Sequence, residues 1–415
     1  MKKARGDMKS YDALVVGAGP AGATAALMLA RAGWSVAVIE KALFPRRKVC
    51  GEFISASSLP LLRELGVADA FMAQAGPEIR IVGLYAGETI LCADMPRPRE
   101  GAEAHGRALG REHLDALILA RAVAAGAEVW QPWALTRVEK TLGGFVGTAL
   151  AKDPREITQL KARIIIAAHG SWESGMLPTQ SAGYPPPRAA DMFAFKAHFR
   201  NGNLPPELMP LLVFPGGYGG MVQSDSGRVS FSCCIRRDVM EQSRREWVHV
   251  KAAEAVFAHV HAACRGVRET LADATRDGAW LATGPIRPGI RFFRSDGIFT
   301  VGNAAGEAHP IVAEGISMAI QSAWLLCEHL IAHPPAVLSE RALRMIGRNY
   351  AASWRKNFAP RIYAAAMFAH LAMRPATAKL SLALLKRAPV ILTLGAYLSG
   401  KTQPLRGLAL AERTR

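Results

Sequence analysis

Near the start of the chain the apolar and polar positions group in an order that predicts strand, turn, helix and strand. In YDALVVGAGPAGATAALMLARAGWSVAVIE the apolar run Ala13 to Val16 reads as a buried parallel strand. Gly17-x-Gly19-x-x-Gly22 follows, then an alanine- and leucine-rich helix ending at Gly33, then a second strand ending on Glu40. Gly17 permits a tight turn, Gly19 lets a pyrophosphate approach the backbone, and Gly22 lets the helix pack against the strand. Pro20 and Ala21 lie at the helix opening, where free N–H groups attract phosphates. Glu40, placed at the strand end, suits hydrogen bonds from ribose hydroxyls. The loop alone fits FAD and NAD equally. Lys2 and Lys3 before this apolar stretch imitate a signal peptide, but the interior Gly-Pro and the glycine spacing favour a folded domain over a targeting segment.

The pattern recurs further on. GREHLDALILARAVAAGAEV sets Arg111 at the head of a helix with Asp115 one turn later, and KARIIIAAHGSWES is a buried strand that breaks at Gly170. GIFTVGNAAGEAHPIVAEGISMAIQSA predicts a strand to Val301, a polar turn at Gly302-Asn303, a loop through Pro310 and a helix opening at Gly315-Ile316. Between these pieces DMFAFKAHFR and VSFSCCIRRD alternate like half-buried strands, with turns at GGYGG and SDSG. EWVHVKAAEAVFAHVHAACRGVRETLADA reads as one long helix outside that sheet. Beyond about Pro335 the chain is apolar with basic breaks at Arg374, Lys379, Lys386 and Arg387. No uninterrupted run reaches the roughly 20 residues needed to span a bilayer, so amphipathic helices capping a pocket are expected.

Composition narrows the partners. The length of 415 residues suits two or three interleaved domains, and 51 Lys+Arg against 34 Asp+Glu give +17, which favours anionic company. Nucleic acid is not expected: there is no basic helix, zinc spacing or aromatic-rich RNA motif. The remaining choices are an acidic membrane face, an acidic carrier protein and a phosphorylated cofactor. Six cysteines without a C-x-x-C pair suggest a reduced cytoplasm. His259 and His261 lack metal-ligand spacing, and no metal is expected.

From about Tyr11 to about Ala323 these motifs resemble the FAD-dependent superfamily of aromatic hydroxylases (p-hydroxybenzoate hydroxylase-like), flavin halogenases and geranylgeranyl reductases. The resemblance implies FAD as cofactor and NAD(P)H as electron donor. In that superfamily the late motif reads G-D-A-A, then a proline, then E-G-I; its acidic residue binds the ribityl chain, so Asn303 takes that place here and keeps an acceptor oxygen. Pro310 belongs to the same cofactor loop, and Gly315 and Ile316 would turn backbone N–H groups toward the flavin pyrimidine end. His169 stands where a D-G motif is common, which implies a different dock for NAD(P)H or a different donor. KVCGEF looks most like the geranylgeranyl-reductase branch, whose Lys-x-Cys-Gly turn borders the isoalloxazine. Lys41, Arg47 and Lys48 would then serve the cofactor, with Arg47 and Lys48 neutralising the pyrophosphate, and Gly51 and Cys50 would lie near the ring. The Cys50 thiol either delivers a proton or only shapes the pocket. Tyr218 matches the branch's Tyr-x-Trp-x-Phe-Pro pattern, but Gly220 replaces the tryptophan and opens the pocket. The W-x-W-x-x-P segment of halogenases is absent. His309, beside Pro310, is the general acid or base candidate.

The expected architecture is an α/β chain: a doubly wound Rossmann-like FAD-binding domain in three pieces (10–75, 101–180 and 285–335), an inserted mixed β-sheet substrate domain (76–100 and 181–284) and a helical C-terminal segment (336–415). The expected function is FAD-dependent oxidation of a lipophilic small molecule, first as a monooxygenase acting on an aromatic or polyketide-like substrate. C=C reduction of an isoprenoid or other unsaturated substrate is the alternative, and a non-catalytic flavin-binding redox sensor the alternative of another class. The expected location is cytoplasmic, with peripheral membrane contact as a variant.

Overall fold

The computed structural model describes residues 8–97, 105–152, 156–170, 175–180, 186–292, 297–403 and 405. The end of the KARIIIAAHGSWES segment, 171–174, lies outside them. Two seven-stranded sheets carry the α/β architecture. In the first, the parallel strands Glu128–Trp130, Val36–Ile39, Ser10–Val16, Ile157–Ala167 and Ile298–Thr300 lie side by side. The hairpin Trp133–Thr141 and Gly144–Ala151 extends this sheet by pairing antiparallel with the first half of Ile157–Ala167. Ala13 pairs with Ile164 on one side and Val36 on the other, so the first apolar run is the centre of the sheet. Both faces of a parallel strand are covered, which is why this run is apolar throughout rather than alternating.

Three helices, Pro20–Arg31, Arg111–Ala124 and Gly315–Ile331, pack together over one face. Leu27 and Leu29 of the first and Leu326 and Leu330 of the third are fully buried there. Each such side chain contributes roughly 1.5–3 kcal/mol.

The second sheet runs in the order Thr275–Ile286, Met192–Arg200, Val229–Arg236, Gly217–Gln223, Leu208–Phe214, Ile81–Ala86, Thr89–Asp94. Its pairings are antiparallel except that of Leu208–Phe214 with Ile81–Ala86. Period-two alternation separates its faces. Phe199, Phe231 and Trp280 pack on Phe257 of the helix Ala252–Ala263, whereas Ala194, Tyr218 and Cys234 face the other way.

Two local expectations need correction. GGYGG is not a turn throughout: Gly217–Gln223 is a strand, and the turn lies just before it. A Cβ at Gly217 would stand 2.3 Å from the Phe214 ring, and one at Gly219 2.6 Å from the Ser232 carbonyl oxygen, so the glycines permit close strand approach. The single helix expected over 246–274 is two, Ala252–Ala263 and Arg265–Thr270. They part at Cys264, which is extended, bridges to Gly87 and donates its thiol to the Val213 carbonyl at 3.5 Å.

The C-terminal segment is helical: Glu340–Met373, Pro375–Arg387 and Val390–Leu398. Ser339 caps the first by accepting from the Ala342 amide at 3.2 Å. Tyr350, Trp354 and Phe358 anchor it in the main core. The other two helices meet at 116°. Among the described residues no single helix is long and apolar enough to cross a membrane, although this bent pair is so by length and composition together.

Candidate active site

A cavity of about 920 Å³ lies between the two sheets, with the glycine loop at one end and the helices Pro375–Arg387 and Val390–Leu398 at the other. Sterics decide the loop. Gly17 has φ +100°, and a Cβ on Gly22 would fall 1.8 Å from the Gly17 carbonyl oxygen. Gly19 differs: a Cβ there would meet only Arg111 Nη2, at 3.6 Å, and the residue lines the cavity. Pro20 opens the helix, with Ala21 next to it on the cavity wall. Glu40 ties the loop to the strand end, its two carboxylate oxygens accepting from the Ala18 and Ala42 amides at 2.9 Å each.

Cations crowd this end. Arg111 makes a bidentate pair with Asp115, 2.7 Å on both arms. Burial opposes the Arg111 charge, but Asp115 outweighs it and holds the guanidinium protonated, with a smaller contribution from the Cys50 thiol. Arg46 lies over the Phe44 ring, and its Nε and Nη1 are buried with no hydrogen-bond partner. Lys48 faces the cavity but is otherwise enclosed, and burial, then Arg46 and Arg111, push it down to about 8. Lys41 also lines this end. Arg47 turns its guanidinium elsewhere, to Glu112 at 3.2 Å and the Asp277 carbonyl at 3.0 Å, and so ties the loop to the second sheet. An open glycine, a helix N-terminus and buried, unpartnered guanidinium nitrogens form a cradle that fits the diphosphate of FAD.

Cys50, Gly51 and the helix opening at Gly315 and Ile316 all line the cavity. The Glu52 amide donates to Cys50 Sγ at 3.4 Å. Asn303 donates through Nδ2 to Glu307 Oε1 at 3.1 Å, and Gly302 donates its amide to Ser322 Oγ at 3.1 Å. His169, also on the wall, is held by the Gly170 carbonyl and Thr179 Oγ1 at 2.8 and 2.9 Å. His309, followed by Pro310, has Nδ1 3.0 Å from the Tyr218 hydroxyl. Burial, then the charge of His370, push His309 down to about 4, and burial raises Tyr218 well above its ordinary range. At neutral pH the pair is therefore an un-ionised phenol hydrogen-bonded to an uncharged imidazole, which can take a proton.

Two buried polar clusters went unread in the sequence. Directly after Cys50-Gly51, Glu52 has φ +65° and is fully buried. Its carboxylate accepts from Lys196 Nζ, from His198 Nε2 at 2.9 Å and from the Arg111 amide at 3.4 Å. Lys196 and His198 lie two apart in FKAHF, on one face of a strand whose other face is aromatic; that polar pair on an inward face was the available signal. The second cluster joins the C-terminal segment to the helix start: Lys401 Nζ donates to the Val312 carbonyl at 2.8 Å and Glu314 Oε1 at 3.3 Å, while Ser55 donates to Glu314 Oε2 at 3.1 Å. His259 donates to or accepts nothing metal-like; its Nε2 lies 2.9 Å from the Pro215 carbonyl, and among the described residues no cluster of His, Cys, Asp or Glu could hold a metal ion.

Residues 10–358 match the family described as FAD binding domain, and the chain belongs to that family. It is 25% identical over 353 residues to conditioned medium factor receptor 1 of Dictyostelium discoideum, covering 78% of this chain and 64% of that protein's length. It is 26% identical to digeranylgeranylglycerophospholipid reductase 2 of Methanopyrus kandleri, covering 74% of this chain and 73% of the other. In fold it is similar to the flavin-dependent brominase Bmp2, with a TM-score of 0.71 and 19% identity over 95% of this chain and 94% of that one. The chain is an FAD-dependent oxidoreductase.

Proposed function

We propose that this oxidoreductase is a monooxygenase that hydroxylates a lipophilic phenol, with NAD(P)H as electron donor. The observation that carries the reading is the Tyr218–His309 pair, 3.0 Å apart on the wall of a largely apolar cavity. Hydroxylation of a phenol is assisted by a base that takes its proton, and His309 is uncharged down to about pH 4. With Nδ1–H donating to the Tyr218 hydroxyl oxygen, Nε2 keeps its lone pair and is the atom that accepts the proton of the substrate hydroxyl. Bound FAD supplies the redox chemistry: in the overall reaction a C–H bond becomes C–OH, the second oxygen atom of O2 leaves as water, and NAD(P)H is oxidised. Gly220, with no side chain, leaves room beside Tyr218 for a bulky substrate.

A second reading is hydride addition across a C=C bond. Cys50 favours it, since this residue lines the cavity where its thiol could supply a proton, and so does the likeness to a protein named as a digeranylgeranylglycerophospholipid reductase. The two part on one experiment. Photoreduced holoenzyme is mixed with isotopically labelled O2 and a long-chain alkylphenol, or, without oxygen, with geranylgeraniol. Labelled oxygen in the phenol supports monooxygenation; an unlabelled phenol together with two added hydrogens in geranylgeraniol overturns it.

A further inference from the structure

We propose that the helices Pro375–Arg387 and Val390–Leu398 seat the enzyme on an anionic lipid surface, from which the substrate enters the cavity. The proposal rests on the lipophilic substrate of the preceding reading. Both helices are apolar on two sides. Their inner side, with Leu382, Leu385, Ile391 and Leu392, lines the cavity. Their outer side exposes Leu380 (74%), Val390 (68%), Leu394 (53%) and Leu398 (46%). An apolar helix side belongs in a core or against lipid, and among the described residues these outer side chains are about half or more exposed. At 13 and 9 residues and a 116° bend, the pair suits lying in a membrane interface with one side toward the protein.

Charge selects the kind of surface. Between Glu340 and Glu412 the chain has no Asp or Glu, and Arg374, Lys379, Lys386 and Arg387 are exposed at the first of these helices. Lys379, Lys386 and Arg387 lie on or at the end of that helix, which also exposes Leu380. Leucines interleaved with cations match the layered chemistry of an anionic bilayer, headgroup outside and acyl chain beneath. An acidic carrier protein would meet the cations but leave the outer leucines in water. The cavity wall here is one helix thick, so a lipophilic molecule dissolved in the bilayer has only to pass between these two helices.

Full-length holoenzyme is sedimented with vesicles of phosphatidylcholine, or of phosphatidylglycerol and phosphatidylcholine in equal parts. The expected result is binding to the mixed vesicles, weakened by high salt, and at least roughly 10-fold weaker binding to phosphatidylcholine alone. The triple variant Lys379→Gln, Lys386→Gln, Arg387→Gln should bind the mixed vesicles on the order of 100-fold more weakly, and Leu380→Ser with Val390→Ser and Leu394→Ser should bind neither. Flavin absorbance should be unchanged in both, since none of the six side chains lines the cavity. Holoenzyme that stays in the supernatant, equal binding to both vesicles, or tighter binding to an acidic carrier protein than to the mixed vesicles would each overturn the proposal. Sedimentation involves no turnover, so its failure leaves the monooxygenase reading standing. Failure of oxygen transfer with vesicle binding intact rejects that reading and not the docking.

Discussion

Replacing Glu52 by glutamine keeps the side chain's shape and removes its charge at the junction of the two sheets. Lys196 and His198 would then face a neutral amide while remaining at 0% and 2% exposure. The Lys196 ammonium has no water to replace the lost carboxylate. Breaking a buried pair on one side costs about 3–5 kcal/mol, because the partner stays charged and desolvated. For a chain of 415 residues the unfolding entropy is about 0.9 kcal/mol/K, so thermal unfolding as one unit should shift down by about 3–6 °C. Glu52→Gln combined with Lys196→Met removes the stranded charge and should recover most of that loss. The assay is thermal unfolding of holoenzyme at neutral pH, followed by circular dichroism and flavin fluorescence. A single variant melting within about 1 °C of wild type would refute the reasoning.

The same carboxylate sets a pH dependence. Burial alone would raise its pKa, but Lys196 and His198 overcome burial and hold it well below the ordinary carboxylate range. Its folded pKa is depressed, so its stabilising contribution is complete above about pH 4.5 and is lost as the pH falls below that. Glu52→Gln should flatten the acid limb of the stability profile.

Other outcomes follow from the cavity. Gly22→Val should abolish FAD retention, because its Cβ would fall 1.8 Å from a backbone oxygen of the phosphate loop; a yellow protein after gel filtration would contradict this. His309→Ala should lower kcat for the alkylphenol by roughly 100-fold or more with FAD content unchanged. In wild type the acid limb of kcat should fall near pH 4, since burial keeps the imidazole uncharged above that, whereas a limb near pH 6.5 would show an unburied histidine. Tyr218→Phe should cost kcat roughly 10-fold and leave KM nearly unchanged, read from steady-state kinetics, because it removes only the hydrogen-bond partner of His309 Nδ1.

Legibility followed distance along the chain. The Gly17–Gly22 loop, the strand ends at Glu40 and Gly170 and the helix opening at Gly315 are local devices, and each left a local pattern. The Arg111–Asp115 pair was readable because its members are one helical turn apart. Glu52 was quoted with its neighbours, but its partners lie 144 and 146 residues away on another sheet, so nothing near it announced them. Tyr218 and His309, 91 residues apart, were each singled out without being joined, for the same reason. Adjacent cations also hid their different partners: Arg46 and Arg47 are chemically alike and both line the cavity, and only the fold pairs one with Glu40 and the other with Glu112. The Gly217–Gln223 strand was masked because glycines at a crowded sheet resemble glycines in a turn.

The central claim is that this cavity uses O2 on a phenol held by His309, and the direct test is rapid mixing. Anaerobically reduced holoenzyme is mixed with oxygenated buffer, with and without the long-chain alkylphenol, and flavin absorption is followed over time. The account predicts return of the oxidised spectrum in two phases, through a species distinct from both end states, with the second phase changed by the phenol. A single-phase return that is indifferent to the phenol would contradict it.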